Sequence, residues 1–263
     1  MPVVAVAVCP QPPMLLPEIA QGAAGELDQL RNACFEAVRR VHATRPEVVV
    51  IVGAGAPRLF PPSSHGDFRA YGVPGVRVGL GKVDDSVPDD LPLPMLLGGW
   101  LLSRPEADEG PGDTPLRIGH TVDPGAAQAE CAALGRSLAD SEAPTGLLVM
   151  GDGSARRGER APGYFHPDAE EFDTAVSAAL GSADVASLVG VAPELADDLM
   201  VSGRAPWQVL AGAAERSGSW TSELLYAGAP YGVGYFVASW VAAAPGGGAK
   251  PGAGAAGADG AAG

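Results

Sequence analysis

The chain has 263 residues, 46% of them hydrophobic, and a formal net charge of −14. That is enough apolar material for a full core in one domain of ordinary size. The cationic side chains are arginines except for Lys82 and Lys250, and an acidic chain without a basic stripe is a poor partner for nucleic acid or an anionic membrane.

In chain order, Val3–Val8 is a continuous β-branched run, the pattern of a strand buried on both faces. The proline-rich segment Cys9–Pro17 can be neither helix nor central strand. Glu26–Thr44 has helical periodicity, with Leu27, Leu30, Cys34, Val38 and Val41 on one stripe. Val48–Val52 is a second buried strand ending in Gly53-Ala54-Gly55-Ala56-Pro57, so the first unit is βαβ and its two strands are expected to be parallel.

Beyond it, Val76–Leu80 is expected as a strand, Leu93–Leu102 as a short helix, Arg104–Thr114 as a surface loop and Leu116–Val122 as a strand. Pro124–Ser141 is an Ala-rich helix, and Thr145–Met150 is a third buried strand, leading into Gly151-Asp152-Gly153-Ser154. A helix opens at Pro167–Glu171, with Asp168 as N-cap and Glu171 placed for a capping box. Helical stretches near 193–201 and 206–216 follow, then strands at Ser222–Tyr226 and Gly234–Val241.

The expected architecture is α/β, a mainly parallel or mixed central sheet flanked by helices. It forms a single domain over residues 1–242 with a disordered Gly/Ala-rich tail over 243–263, which has no large apolar side chain to offset the entropy of ordering. Cys9, Cys34 and Cys131 lack metal-ligand spacing, and an odd count argues against a disulfide framework. No basic leader precedes the first apolar run, and no run is long enough to span a bilayer. The expectation is a cytoplasmic protein with reduced thiols. In sheets of this kind ligands sit at the carboxyl ends of the strands, which singles out loops 9–17, 53–57, 151–157 and 226–234.

Those four segments carry a pattern. CPQPPMLLPE, VVVIV with its turn, VMGDGSARR followed by APGYFHPDAEEFD, and APYGVGYFVASW stand in order along the chain. Together they resemble the catalytic subunits of class III extradiol ring-cleavage dioxygenases and the related Memo-like proteins. The resemblance implies that fold and an Fe(II) site held by two histidines and a glutamate, with a further histidine as acid/base. The first His is expected in a His-Pro-Pro loop, where this chain has Gln11-Pro12-Pro13. The second is expected in Pro-His-Gly-Pro, where Gly55 stands in Ala54-Gly55-Ala56-Pro57. The glutamate is expected just before the last marker, where Tyr226-Ala227-Gly228-Ala229 stands and the nearest acid, Glu223, is out of register. The acid/base His is replaced by Ala155. A neutral amide is a weak ligand, and Gly and Ala have no side-chain donor. The chain therefore reads as a degenerate member with no iron cofactor.

What remains in the crevice is Gln11, Asp152, Ser154, Arg156, Arg157 and Tyr231. A Gly-Asp-Gly-Ser turn can offer backbone N–H groups to an anion, and arginine forks suit carboxylate or phosphate; the bland alternative is a tight turn whose arginines pair with surface acids. Asp152 is the candidate acid/base, although an Asp in a turn often caps its own backbone. His65, with Asp67 two residues on, and His120 are minority metal candidates. Three functions stay open. The chain is a binding or regulatory module for a small acidic or aromatic molecule, an oxidoreductase with relocated Fe(II) ligands, or a non-catalytic partner subunit or homo-oligomer.

Overall fold

The computed structural model describes residues 3–82, 90–103 and 114–243. The expected loop 104–114 and the tail 243–263 lie outside them, apart from Thr114 and Ala243. The elements in order are β1 (Val3–Cys9), α1 (Pro17–Ala20), α2 (Asp28–Ala43), β2 (Val48–Ala54), β3 (Arg58–Phe60), β4 (His65–Phe68) and β5 (Val73–Gly79). There follow α3 (Leu93–Leu102), β6 (Leu116–Val122), α4 (Gln128–Ala139), β7 (Thr145–Met150), α5 (Ala169–Ser182), α6 (Val185–Val189), α7 (Pro193–Asp198), α8 (Arg204–Ala214), β8 (Trp220–Gly228) and β9 (Tyr235–Ala242).

The fold is α/β, with a mixed seven-stranded sheet ordered β3-β6-β2-β7-β1-β9-β8 and flanked by helices. β6, β2, β7 and β1 run parallel. β9 is antiparallel to β1, β8 to β9, and β3 to β6. β1 and β2 point the same way, as a βαβ unit requires, but they are not neighbours: β7 lies between them and pairs with both. β4 and β5 form a separate two-stranded sheet.

The central strands are buried on both faces, and their side chains alternate between two cores. Val6 and Val8 of β1, Val50 and Val52 of β2, and Leu147 and Val149 of β7 pack with α4 to α8. Ala5, Ala7 and Cys9, Val49 and Ile51, and Leu148 and Met150 pack with α2 and α3. This explains why these strands carry almost no polar residue. The stripe read on α2 is the buried one: Leu30, Cys34, Val38 and Val41 are all nearly inaccessible.

Two local readings need correction. Asp168 precedes α5, but its backbone is αR (φ −83°, ψ −8°) and its side chain makes no capping bond. A side-chain cap needs the extended N-cap conformation. Asp168 instead donates its N–H to His166 Nδ1 at 3.2 Å. The second correction is at β3, β4 and α6, which have no counterpart among the sequence expectations.

No helix among the described residues is long and apolar enough to cross a membrane.

Candidate functional site

The carboxyl ends of β1 and β7 adjoin, because the two strands pair in register from Ala5–Gly146 to Cys9–Met150. β9 is antiparallel to β1, so its first residue, Tyr235, arrives at the same end. A crevice of about 390 Å³ opens there, lined from the first loop by Gln11 to Met14, from the β7 loop by Asp152 and Ala155, and from the β8–β9 turn by Tyr231, Val233 and Tyr235. Pro162, Met200 and Ser202 complete it. The volume is within the range of small-molecule sites.

The loop after β7 is held rigidly, and its amides are all taken. Gly151 N–H bonds the Cys9 carbonyl, Gly153 N–H the Gly234 carbonyl and Arg157 N–H the Gly232 carbonyl, at 3.0, 2.7 and 3.0 Å. Asp152 N–H bonds Ser202 Oγ at 2.9 Å, Ser154 N–H bonds Asp173 Oδ1 at 2.8 Å, and Arg156 N–H bonds Ser154 Oγ at 3.0 Å. Ala155 N–H bonds the Leu199 carbonyl at 3.0 Å. Thus the turn offers no free N–H to an anion. The same ladder accounts for Gly232-Val233-Gly234: Gly232 takes a positive φ of 75°, and a side chain there would strike Ala161. Gly151 packs against Gly203 with no room for a Cβ.

Asp152 is the one carboxylate in the crevice wall among the described residues. Its Oδ1 accepts the Gln11 backbone N–H at 2.7 Å. Burial pushes its pKa up to about 7, against the downward pull of that single bond. Gln11 Nε2 donates to Ser202 Oγ at 3.4 Å, and Gln11 Oε1 is buried without a partner among the described residues. Turning the amide over would let Oε1 accept from the Ser202 hydroxyl and would orphan Nε2 instead. In either orientation one polar atom of Gln11 has no partner there. Tyr235 is pushed upward by burial and by Asp152 beside it. Tyr231 donates its hydroxyl to Glu26 Oε2 at 2.9 Å.

Of the six residues expected in the crevice, Gln11, Asp152 and Tyr231 line it. Ser154, Arg156 and Arg157 do not, and the reason is their partners. Ser154 is wholly buried, with its hydroxyl on the Leu199 carbonyl at 3.3 Å. Arg156 spans the Gly163 carbonyl at 2.9 Å and the Asp198 carboxylate at 3.1 Å, which also holds His166 Nε2 at 3.1 Å. Arg157 reaches Asp173 at 3.2 Å and Glu170 at 3.4 Å. These arginines clamp the loop to its neighbours and leave the crevice without a cation among the described residues.

The metal candidates lie elsewhere. His65 is buried in the small sheet with Nδ1 3.4 Å from the Ser63 carbonyl, and Asp67 beside it is engaged by Arg69 at 2.6 Å. His120 sits on β6, two strands from β7, with Nδ1 3.1 Å from the Thr121 carbonyl. Gly55 abuts Thr121 and is not in the crevice wall, and Glu223 pairs with Arg40 at 2.6 Å. Among the described residues no group of three or more His, Cys, Asp or Glu could hold a metal ion. The donor set at the strand ends, an amide, an alanine and one carboxylate, does not fit Fe(II).

Ser202 and Met200 escaped sequence reading because they come from the segment between α7 and α8, some fifty residues from Asp152, with no local signature. Met200 is 55% exposed at a positive φ of 56°. Tyr164 and Phe165 are 74% and 58% exposed. A larger groove of about 600 Å³ lies between α5 and α6–α7, walled by Phe172, Val176 and Leu188, with Asp168 and Glu171 as its charged groups.

No family model matches the chain, and no curated protein matches it. Among solved structures, the crystal structure of the uncharacterized protein JW3007 from Escherichia coli K12 is similar, with a TM-score of 0.47 and 15% identity over 90% of this chain and 99% of that one.

Proposed function

We propose that the chain is a class III extradiol dioxygenase-type scaffold without its iron ligands. It acts as a binding or regulatory module that takes a small molecule in the crevice at the ends of β1 and β7. One observation carries this reading: the Asp152 carboxyl, with a single hydrogen bond from Gln11 N–H, lines a mostly apolar crevice. A buried polar group without a partner costs on the order of 1–3 kcal/mol, and a ligand that supplies the partner recovers it. Of the acidic or aromatic ligand expected from sequence, the aromatic half keeps its support, from Tyr231, Tyr235 and Met200. The acidic half loses it, because Arg156 and Arg157 are committed to Asp198, Asp173 and Glu170.

The test is a thermal-shift screen with small aromatic compounds on the native chain and on Ala155→Phe, which fills the crevice from a wall position. Stabilisation of the native chain by a saturating ligand, on the order of 2–3 kcal/mol at a hundredfold excess over Kd, should vanish in the variant. Equal stabilisation of both would remove the crevice as the site. Stoichiometric Fe(II) uptake by the purified protein would overturn the metal-free half of the proposal.

A further inference from the structure

We propose that the crevice selects a small molecule carrying a protonated amine, with the Asp152 carboxylate as its counter-charge and Tyr231 and Tyr235 beside it. The inference rests on the reading of the crevice as a ligand site and names the chemistry of that ligand.

Charge is the first argument. Among the described residues, no arginine, lysine or histidine lines the crevice. Asp152 has one hydrogen bond, from Gln11 N–H to Oδ1, and Oδ2 has no partner among the described residues. A carboxylate held in an apolar wall without a cation is poorly stabilised. An ammonium group supplies both the missing charge and donors for Oδ2, and charge-assisted bonds are the stronger kind.

The walls are the second argument. Two tyrosines and two methionines face the space where the body of the ligand would lie, and aromatic side chains favour a nearby organic cation. The third is the whole chain. At net −14 it attracts cations and repels carboxylates over long range. An anion would meet the Asp152 charge without a backbone donor from the 151–157 loop, since every amide there is already bonded within the protein.

Binding should depend on pH through Asp152. The ionisable groups around it are Cys9 of β1, Cys34 of α2, Tyr231 of the β8–β9 turn and Tyr235 of β9. Cys34 and the two tyrosines are shifted upward, so they stay neutral where Asp152 titrates. Full charges nearby are Glu26, on the Tyr231 hydroxyl, Arg31, which is bound to Asp28 and the Leu15 carbonyl, and the Asp173–Arg157 pair that holds the 151–157 loop. Burial pushes Asp152 up to about 7.

The experiment is calorimetric titration with benzylamine, benzyl alcohol and benzoate, which share size and shape and differ in charge. It is run at about pH 8 and about pH 5.5, on either side of the Asp152 transition and below ordinary amine pKa values. Near pH 8 benzylamine should bind at least ~10-fold more tightly than benzyl alcohol, the step expected between a charge-assisted and a neutral bond. That preference should fall to within ~3-fold near pH 5.5 and in Asp152→Asn, while benzyl alcohol binding changes little. The pH comparison uses the native chain alone, so the test survives a variant that folds poorly. Benzyl alcohol or benzoate binding as tightly as benzylamine would overturn the amine inference and leave the crevice reading intact. An amine preference that survives Asp152→Asn would also overturn it, since general attraction to an acidic surface would then account for it. Binding of none of the three would count against the crevice as a ligand site, and the amine inference would fall with it.

Discussion

At the scale of single residues, partners separate two aspartates that burial shifts upward alike. Asp173 is almost wholly buried on α5 and accepts from Ser154 N–H and from Arg157, so it ties the β7 loop down. Asp173→Ala should cost about 3–5 kcal/mol in urea unfolding, because it leaves a half-buried arginine and an amide without their acceptor. Asp152 has no cation and is pushed up to about 7. Its folded pKa lies above that of an unfolded aspartate, so the folded state holds the proton longer. Its contribution to stability is then complete at acid pH and is lost as pH rises through about 7. Asp152→Asn should therefore match the native chain near pH 4 and exceed its stability near pH 8 by on the order of 4 kcal/mol. Unfolding curves across that range check this, and a difference that shrinks with rising pH would refute the assigned environment.

At the scale of elements, the crossing of α4 and α8 is made by glycine on both sides. A side chain at Gly135 would enter the Val209 carbonyl, and one at Gly212 the Ala132 backbone. Gly135→Leu should lower stability by ~3 kcal/mol or more, at the upper end of overpacking effects, measurable as a loss of Tm. This close packing sets α8, and Gly203 at its start meets Gly151 and brings Ser202 to the crevice. Elements that bury a continuous apolar face were legible in sequence: β1, β2 and β7 as β-branched runs, α3 and β6 at their full lengths, and the stripe of α2. β3 and β4 were not, since strands of three and four residues containing Arg, His, Gly and Asp have no period to detect. The insertion of β7 between β1 and β2 is a long-range pairing that no local pattern records. The site divides the same way. Gln11, Asp152 and Tyr231 follow from the rule that strand ends carry ligands. The partners that occupy Arg156 and Arg157 are Asp198, Asp173 and Glu170, which only the folded chain brings close.

At the scale of the whole molecule, a parallel core with antiparallel additions at both edges leaves a carboxyl-end crevice among the β1, β7 and β9 ends. The proposed dioxygenase-type reading would put iron chemistry at such a position, and the side chains present there lack the donors for it. Purified chain incubated anaerobically with Fe(II) and desalted should retain far less than one equivalent, and near-stoichiometric iron would contradict the donor argument. The α5–α7 groove is larger than the crevice, and its charged groups are Asp168 and Glu171. The proposed ligand sits in the crevice, where the Asp152 carboxyl stands in a mostly apolar wall. The measurement that tests this most directly is an amide-resolved NMR titration with benzylamine. The account predicts shifts concentrated at Gln11, Asp152, Ser202 and Val233. Shifts concentrated instead at Phe172, Leu188 and Leu195 would contradict it.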